Sequence, residues 1–147
     1  MKWVLELEDV HLEVLLTALD FWERVLGLGQ LEEIEYAWRW DADVRAEDFQ
    51  EKSAALRSVL DAAKSIGWGL PGNASWGIRS DKVPERFQIA YDMQKAIKKV
   101  RCDHRIATST DEKEIRHLSM TVDCAPYRPI RPDVPKVEVK AVSNDDS

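Results

Sequence analysis

Apolar positions recur at spacings of three and four through most of the first hundred residues, which is the helical period, and alternate with polar ones only near the two ends. Trp3, Leu5 and Leu7 alternate with Val4, Glu6 and Glu8, as in a short half-buried strand. Asp9 then stands where a helix cap is needed. Leu12, Leu15, Leu16, Leu19, Trp22 and Leu26 fall on one stripe of the helix that follows, closed by Gly27 and Gly29. A second helix is predicted over residues 30–40, with Leu31, Ile34 and Trp38 on one face. A third is predicted over residues 46–66, with Leu56, Val59, Leu60, Ala63 and Ile66 turned inward and Gly67 as its stop. The connection from Gly67 to Ile78 is too rich in Gly and Pro for regular helix. A fourth helix is expected to start at Ser80 or Asp81, with Pro84 in its first turn and Phe87, Ala90, Tyr91, Gln94 and Ile97 inside.

Beyond Ala107 the pattern changes. Residues 108–111 read as a loop, and Leu118, Met120, Val122 and Cys124 alternate with Ser119, Thr121 and Asp123 as a strand. Pro126, Pro129, Pro132 and Pro135 recur every third residue, the polyproline II repeat. Val137, Val139 and Ala141 suggest a last short strand, and residues 143–147 should fray. The expected fold class is mainly α, of the α+β kind, with about four helices and a small sheet formed by the N- and C-terminal strands. Residues 1–125 make one helical domain with an N-terminal strand; residues 126–147 make a Pro-rich strap, a short strand and a frayed tail.

Composition narrows the function. A chain of 147 residues, 44% hydrophobic and 33% charged, suffices for one core and a solvated surface. The net charge of -6 sets the overall field against nucleic acid. Charge is unevenly spread: residues 1–50 hold 4 Lys/Arg (Lys2, Arg24, Arg39, Arg45) and 13 Asp/Glu, whereas residues 79–116 hold 10 and 7. The N-terminus lacks the pattern of a signal peptide, and no run is long and apolar enough to span a bilayer. Cys102 and Cys124 alone make no disulfide framework, so the expectation is a reduced, cytoplasmic protein without membrane contact.

The connection from Gly67 to Arg79 carries the candidate chemistry. Gly69, Gly72 and Gly77 would let backbone approach a ligand, and Asn73 and Ser75 offer short donors and acceptors. Trp68 and Trp76 offer flat faces for stacking, and Arg79 and Arg86 can hold phosphate in a bidentate manner. The ligand-binding set is Asn73, Ser75, Trp76, Arg79, Arg86 and Tyr91. The alternative reading is a structural loop whose tryptophans plug the core. Gly67, Gly69 and Gly72 spell a dinucleotide-binding pattern, but it follows a helix and not a strand, so it carries no weight. Cys102, His104, His117 and Cys124 lack the tight pairing of a zinc site, and no nucleophile or acid–base pair stands out. No metal, cofactor or catalytic residue is assigned, and the chain is read as a non-enzyme. Lys95, Lys98, Lys99, Arg101 and Arg105 give helix four a basic end, and the Pro126–Pro135 run reads as an extended strap across its own domain or across a sister subunit, the alternative being a groove-binding polyproline ligand.

Two stretches carry a resemblance. One is Leu15-Leu16-Thr17-Ala18-Leu19-Asp20-Phe21, leading to Gly27-Leu28-Gly29-Gln30-Leu31-Glu32-Glu33-Ile34. The other is Gly72-Asn73-Ala74-Ser75-Trp76-Gly77-Ile78, then Val83-Pro84, then Ala90-Tyr91-Asp92-Met93-Gln94-Lys95-Ala96-Ile97. Over about residues 10–100 the chain resembles small accessory proteins of tailed bacteriophages. That resemblance implies work in an infected bacterial cytoplasm and no transferable activity. The expectation is a non-catalytic binder, oligomeric, that sequesters a small anionic or nucleotide ligand such as a phosphorylated signal of host defence. The alternative is a protein–protein inhibitor or assembly factor acting on a host or phage protein.

Overall fold

Leucines at helical spacing build the first element. In the computed structural model, which describes residues 5–41, 46–126, 128–134 and 138–141, α1 runs over Asp9–Trp22. Leu16 is buried and Leu12, Leu15 and Leu19 are half-buried, as their spacing requires. The cap differs from expectation. Glu8 holds the cap position without a side-chain cap bond, and Asp9 sits in the first turn, where a carboxylate favours the helix dipole.

A single π-helical turn over Glu23–Gly27 prolongs α1, closed by the Leu28 N–H donating to the Glu23 carbonyl at 3.0 Å. Gly27 belongs there for a steric reason: a Cβ would lie 2.7 Å from Cγ of Phe87. Leu28, Val83 and Phe87 form a buried cluster, with Trp22, Trp76 and Ile78 packed against it. The Trp22 and Phe87 rings sit 4.7 Å apart at 52°, a tilted contact that the ring quadrupoles favour.

α2 (Glu32–Asp41) and α3 (Ala46–Trp68) pair as an antiparallel hairpin, close to the predicted spans. The register reads off their contacts. Trp38 stacks on Phe49, Glu35 meets Ser53 and Arg57, and Glu32 meets Lys64. Arg24 ties the π-helical turn to this hairpin by donating to Gln30 Oε1 at 2.8 Å and pairing with Glu33. The interface is polar at its centre, which corrects the expected inner face of α3. Ser53 and Lys64 are buried, Leu56 and Leu60 half-buried, and Val59, Ala63 and Ile66 exposed. α3 turns its polar side to α2 because Glu35 and Glu32 need partners there. α3 also outlasts Gly67; Gly69, at φ +65°, closes it, with its N–H donating to the Ser65 carbonyl at 3.0 Å.

The chain divides into two compact units, residues 1–87 and 88–147, and the division falls inside α4 (Glu85–Thr108). Pro84 immediately precedes α4, so the helix starts later than predicted. In the second unit α5 spans Glu112–Ser119, beginning just after the expected loop and taking in Leu118 and Ser119, where the expected strand was to start. Asp111 caps it by accepting from the Lys113 N–H at 2.9 Å, and Glu112 with Glu114 at its start and Arg116 with His117 at its end match the helix dipole. Arg105 of α4 and the Ser109 hydroxyl both donate to Glu114 and hold its carboxyl below the usual carboxylate range, Ser109 most strongly.

Among the described residues there is no β-strand, so the expected terminal sheet is corrected. Residues 5–8 and 138–141 are without regular structure, and residues 120–125 form turns, with Met120 and Thr121 N–H groups donating to His117 and Leu118 carbonyls. Four alternating residues without a ladder partner do not make a strand. Trp3, Val4, Pro135, Val137 and residues 143–147 lie outside the described residues.

The reduced state expected of the cysteines is also corrected: Cys102 of α4 is joined to Cys124 in a disulfide, with Cα atoms 5.5 Å apart. The strap docks on α4 of its own unit. The carboxylate of Asp92 accepts the N–H groups of Ile130 and Arg131, each at 2.9 Å. A turn over Arg131–Val134 interrupts the polyproline repeat. Within it the Arg131 guanidinium, helped by the turn backbone, holds the Asp133 carboxyl down to about 2.

Candidate functional site

The loop between α3 and α4 is anchored at several points of the first unit. Lys64, almost completely buried, donates to the Gly72 carbonyl at 2.8 Å and to Glu32 at 3.1 Å, a cation held between helix and loop. The Trp68 indole N–H donates to the Leu26 carbonyl at 3.3 Å. The Trp76 backbone N–H donates to the Leu28 carbonyl at 2.9 Å, and its ring packs on the Leu28–Val83–Phe87 cluster. Turns at Pro71–Ala74, Gly77–Ser80 and Ser80–Val83 fold the rest. The loop is thus fixed from beneath by its tryptophans.

Above that floor Asn73, Ser75 and Arg79 are exposed, and among the described residues their side chains have no hydrogen-bond partner. Arg86 is also exposed, with its guanidinium 4.7 Å from the Phe87 ring centroid. Trp76 is half-buried, so only part of its ring is left for stacking. Tyr91 belongs to the second unit, where its ring lies 5.7 Å from the Lys95 ammonium. The structure therefore groups Asn73, Ser75, Trp76 and Arg79 on one loop, adds Arg86 in the first turn of α4, and places Tyr91 in the other unit.

The zinc and nucleophile candidates resolve simply. Cys102 and Cys124 are bonded to each other, so neither offers a thiolate, and His104 and His117 are exposed. Among the described residues no three His, Cys, Asp or Glu side chains gather as a metal site. No helix among them is long and apolar enough to cross a membrane.

A second candidate surface escaped the sequence reading. Opposite its leucine face, α1 exposes Val10, Val14, Thr17 and Phe21, at spacings of four, three and four. α3 does the same with Ala55, Val59, Ala62 and Ile66. The signal was present: a helix apolar on both sides needs a neighbour on each. No protein-family model, no curated protein and no solved structure matches this chain, so its own residues carry the functional reading.

Proposed function

We propose that this is a non-catalytic binding protein that works by protein–protein contact, as an inhibitor or assembly factor, through the apolar helix faces of its first unit. One observation carries the reading: Val10, Val14 and Phe21 on α1 are exposed on the side of the helix turned away from its leucine face. Exposed apolar residues gathered at helical spacing mark interaction surfaces. The outward stripe of α3, with Val59 and Ile66, supports the same conclusion. The proposal includes, as what the resemblance to small phage accessory proteins implies, a partner in an infected bacterial cytoplasm.

The test compares the tagged wild-type protein with the Val14→Asp and Ile66→Asp variants in capture from bacterial lysate, quantified by mass spectrometry. The reading predicts polypeptides held by the wild type and lost with at least one variant. Identical capture profiles for all three would contradict it.

A second reading, sequestration of a small anionic or nucleotide ligand, has its own support in the unpartnered Asn73, Ser75 and Arg79 beside exposed Arg86. A thermal shift with any of a panel of nucleotides, lost in Arg79→Ala, would favour it over protein contact.

A further inference from the structure

Within the second unit, the segment that follows α5 is laid back along α4. Cys124 is bonded to Cys102, and Asp123 lies 3.9 Å from the Lys95 ammonium. Farther along, the Asp92 carboxylate accepts the Ile130 and Arg131 N–H groups at 2.9 Å. The first contact is covalent and can be opened by reduction; the last seats the Pro-rich strap.

The bond shortens the path to that seat. Along the chain, the route from Cys102 to Ile130 runs through the whole of α5; through the bond, it is only the segment 124–130. The cost of closing a flexible loop rises with its length, so the bond favours the seated strap by about threefold where buried Leu118 still holds α5. Where α5 loosens as well, the gain is about tenfold.

The surroundings of the sulfurs suit opening as well as closure. Cys102 is buried, whereas Cys124 is half-buried beside exposed Val122 and Ala125, so an outside thiolate meets the Cys124 sulfur. Cys102 Sγ lies 3.9 Å from the Leu118 carbonyl oxygen and 3.8 Å from the Thr121 hydroxyl oxygen, whose own hydrogen goes to Leu118 at 2.7 Å. Two acceptors therefore await the hydrogen of a Cys102 thiol, and the reduced sulfur is not stranded.

We propose that Cys102–Cys124 is a reversible redox latch on the Pro-rich strap, opened by a dithiol reductant. A thiolate of the reductant attacks Cys124 Sγ, and Cys102 leaves with the electron pair and takes up the proton the reductant gave up. The second thiol of the reductant, losing its proton, then displaces Cys124, which is protonated in turn. Two electrons have passed to the protein, the reductant has become a disulfide, and the strap leaves Asp92 more often. The coupling is reciprocal: a seated strap protects the bond by the same factor.

The test equilibrates the full chain with mixtures of reduced and oxidised dithiothreitol and counts free thiols by alkylation and mass spectrometry. Asp92→Ala should be half-reduced at a ratio of reduced to oxidised reagent about threefold to tenfold lower than the wild type requires. In the wild type, exchange of the Ile130 and Arg131 amides should quicken by that factor on reduction and slow again on reoxidation, while α4 amides keep their protection. In Cys102→Ser/Cys124→Ser the strap amides should exchange fast whatever the reagent. An unchanged ratio in Asp92→Ala, strap amides indifferent to reduction, or a bond that does not re-form overturns the latch. Loss of α4 protection together with the strap overturns it too, in favour of a bond that only staples the fold.

Discussion

The carboxylate of Glu35 on α2 receives the guanidinium of Arg57 on α3 through two hydrogen bonds, of 2.9 and 2.7 Å. Glu35 is 1% exposed and also accepts from Ser53 and from Arg39. A buried charge is tolerable only when surrounded by donors in this way. The hairpin is therefore held at its centre by charge, which leaves the apolar side of α3 for other use.

That arrangement sets a pH dependence. The Ser53 hydrogen bond most strongly, then Arg57 and Arg39, hold the Glu35 carboxyl below its ordinary 4.5, against the opposing effect of burial. With a folded value lower than the unfolded one, the stabilisation is complete above 4.5 and is lost as pH falls through the folded value. Glu35→Gln should flatten the acid limb of the stability curve. Glu35→Ala, which also strands the buried Ser53 hydroxyl, should cost about 2–3 kcal/mol at neutral pH. Urea denaturation from pH 3 to 7 checks both.

Gly27→Ala should destabilise the first unit by about 2 kcal/mol, because the new methyl group would press on the root of the buried Phe87 side chain, which has no freedom to swing away. Thermal unfolding measures the loss.

Reduction should loosen the second unit selectively. The Cys102–Cys124 bond joins residues 22 apart in sequence and closes a loop that contains α5, and constraining a loop of that length is worth about 3 kcal/mol. Hydrogen exchange of α5 amides should accelerate in a dithiol reductant and in Cys102→Ala/Cys124→Ala, while amides of α2 and α3 hold their protection.

Asp92→Ala should release the strap. Its carboxylate is the acceptor for Ile130 and Arg131, and charge-assisted bonds of this kind are worth about 1.5–3 kcal/mol. NMR should show both amides exchanging faster, with α4 itself still formed.

The helices of the first hundred residues were legible because burial sets their period. The leucines of α1 and the spans of α2 and α3 follow from spacing to within a few residues, although Gly67 does not stop α3. The inner face of α3 was not, since Val59 and Ile66 keep helical register whether they face a core or solvent, and only Glu35 across the hairpin decides which side turns in. α5 went unpredicted, and the alternation from Leu118 to Cys124 read as a strand although the real constraint on Cys124 is a bond to Cys102 more than twenty residues away. Of the candidate loop, the exposure of Asn73, Ser75 and Arg79 was readable from their polarity. The anchoring of Trp68 and Trp76 was not, because a tryptophan beside glycines serves equally as floor or as stacking face.

Native mass spectrometry of the full chain recovered from bacterial lysate tests the central claim most directly, since it reports subunit number and bound mass together. Protein contact through the first unit predicts a chain carrying the added mass of a polypeptide, absent from at least one of the Val14→Asp and Ile66→Asp variants. A bare chain, or one carrying only a mass of nucleotide size, would contradict it.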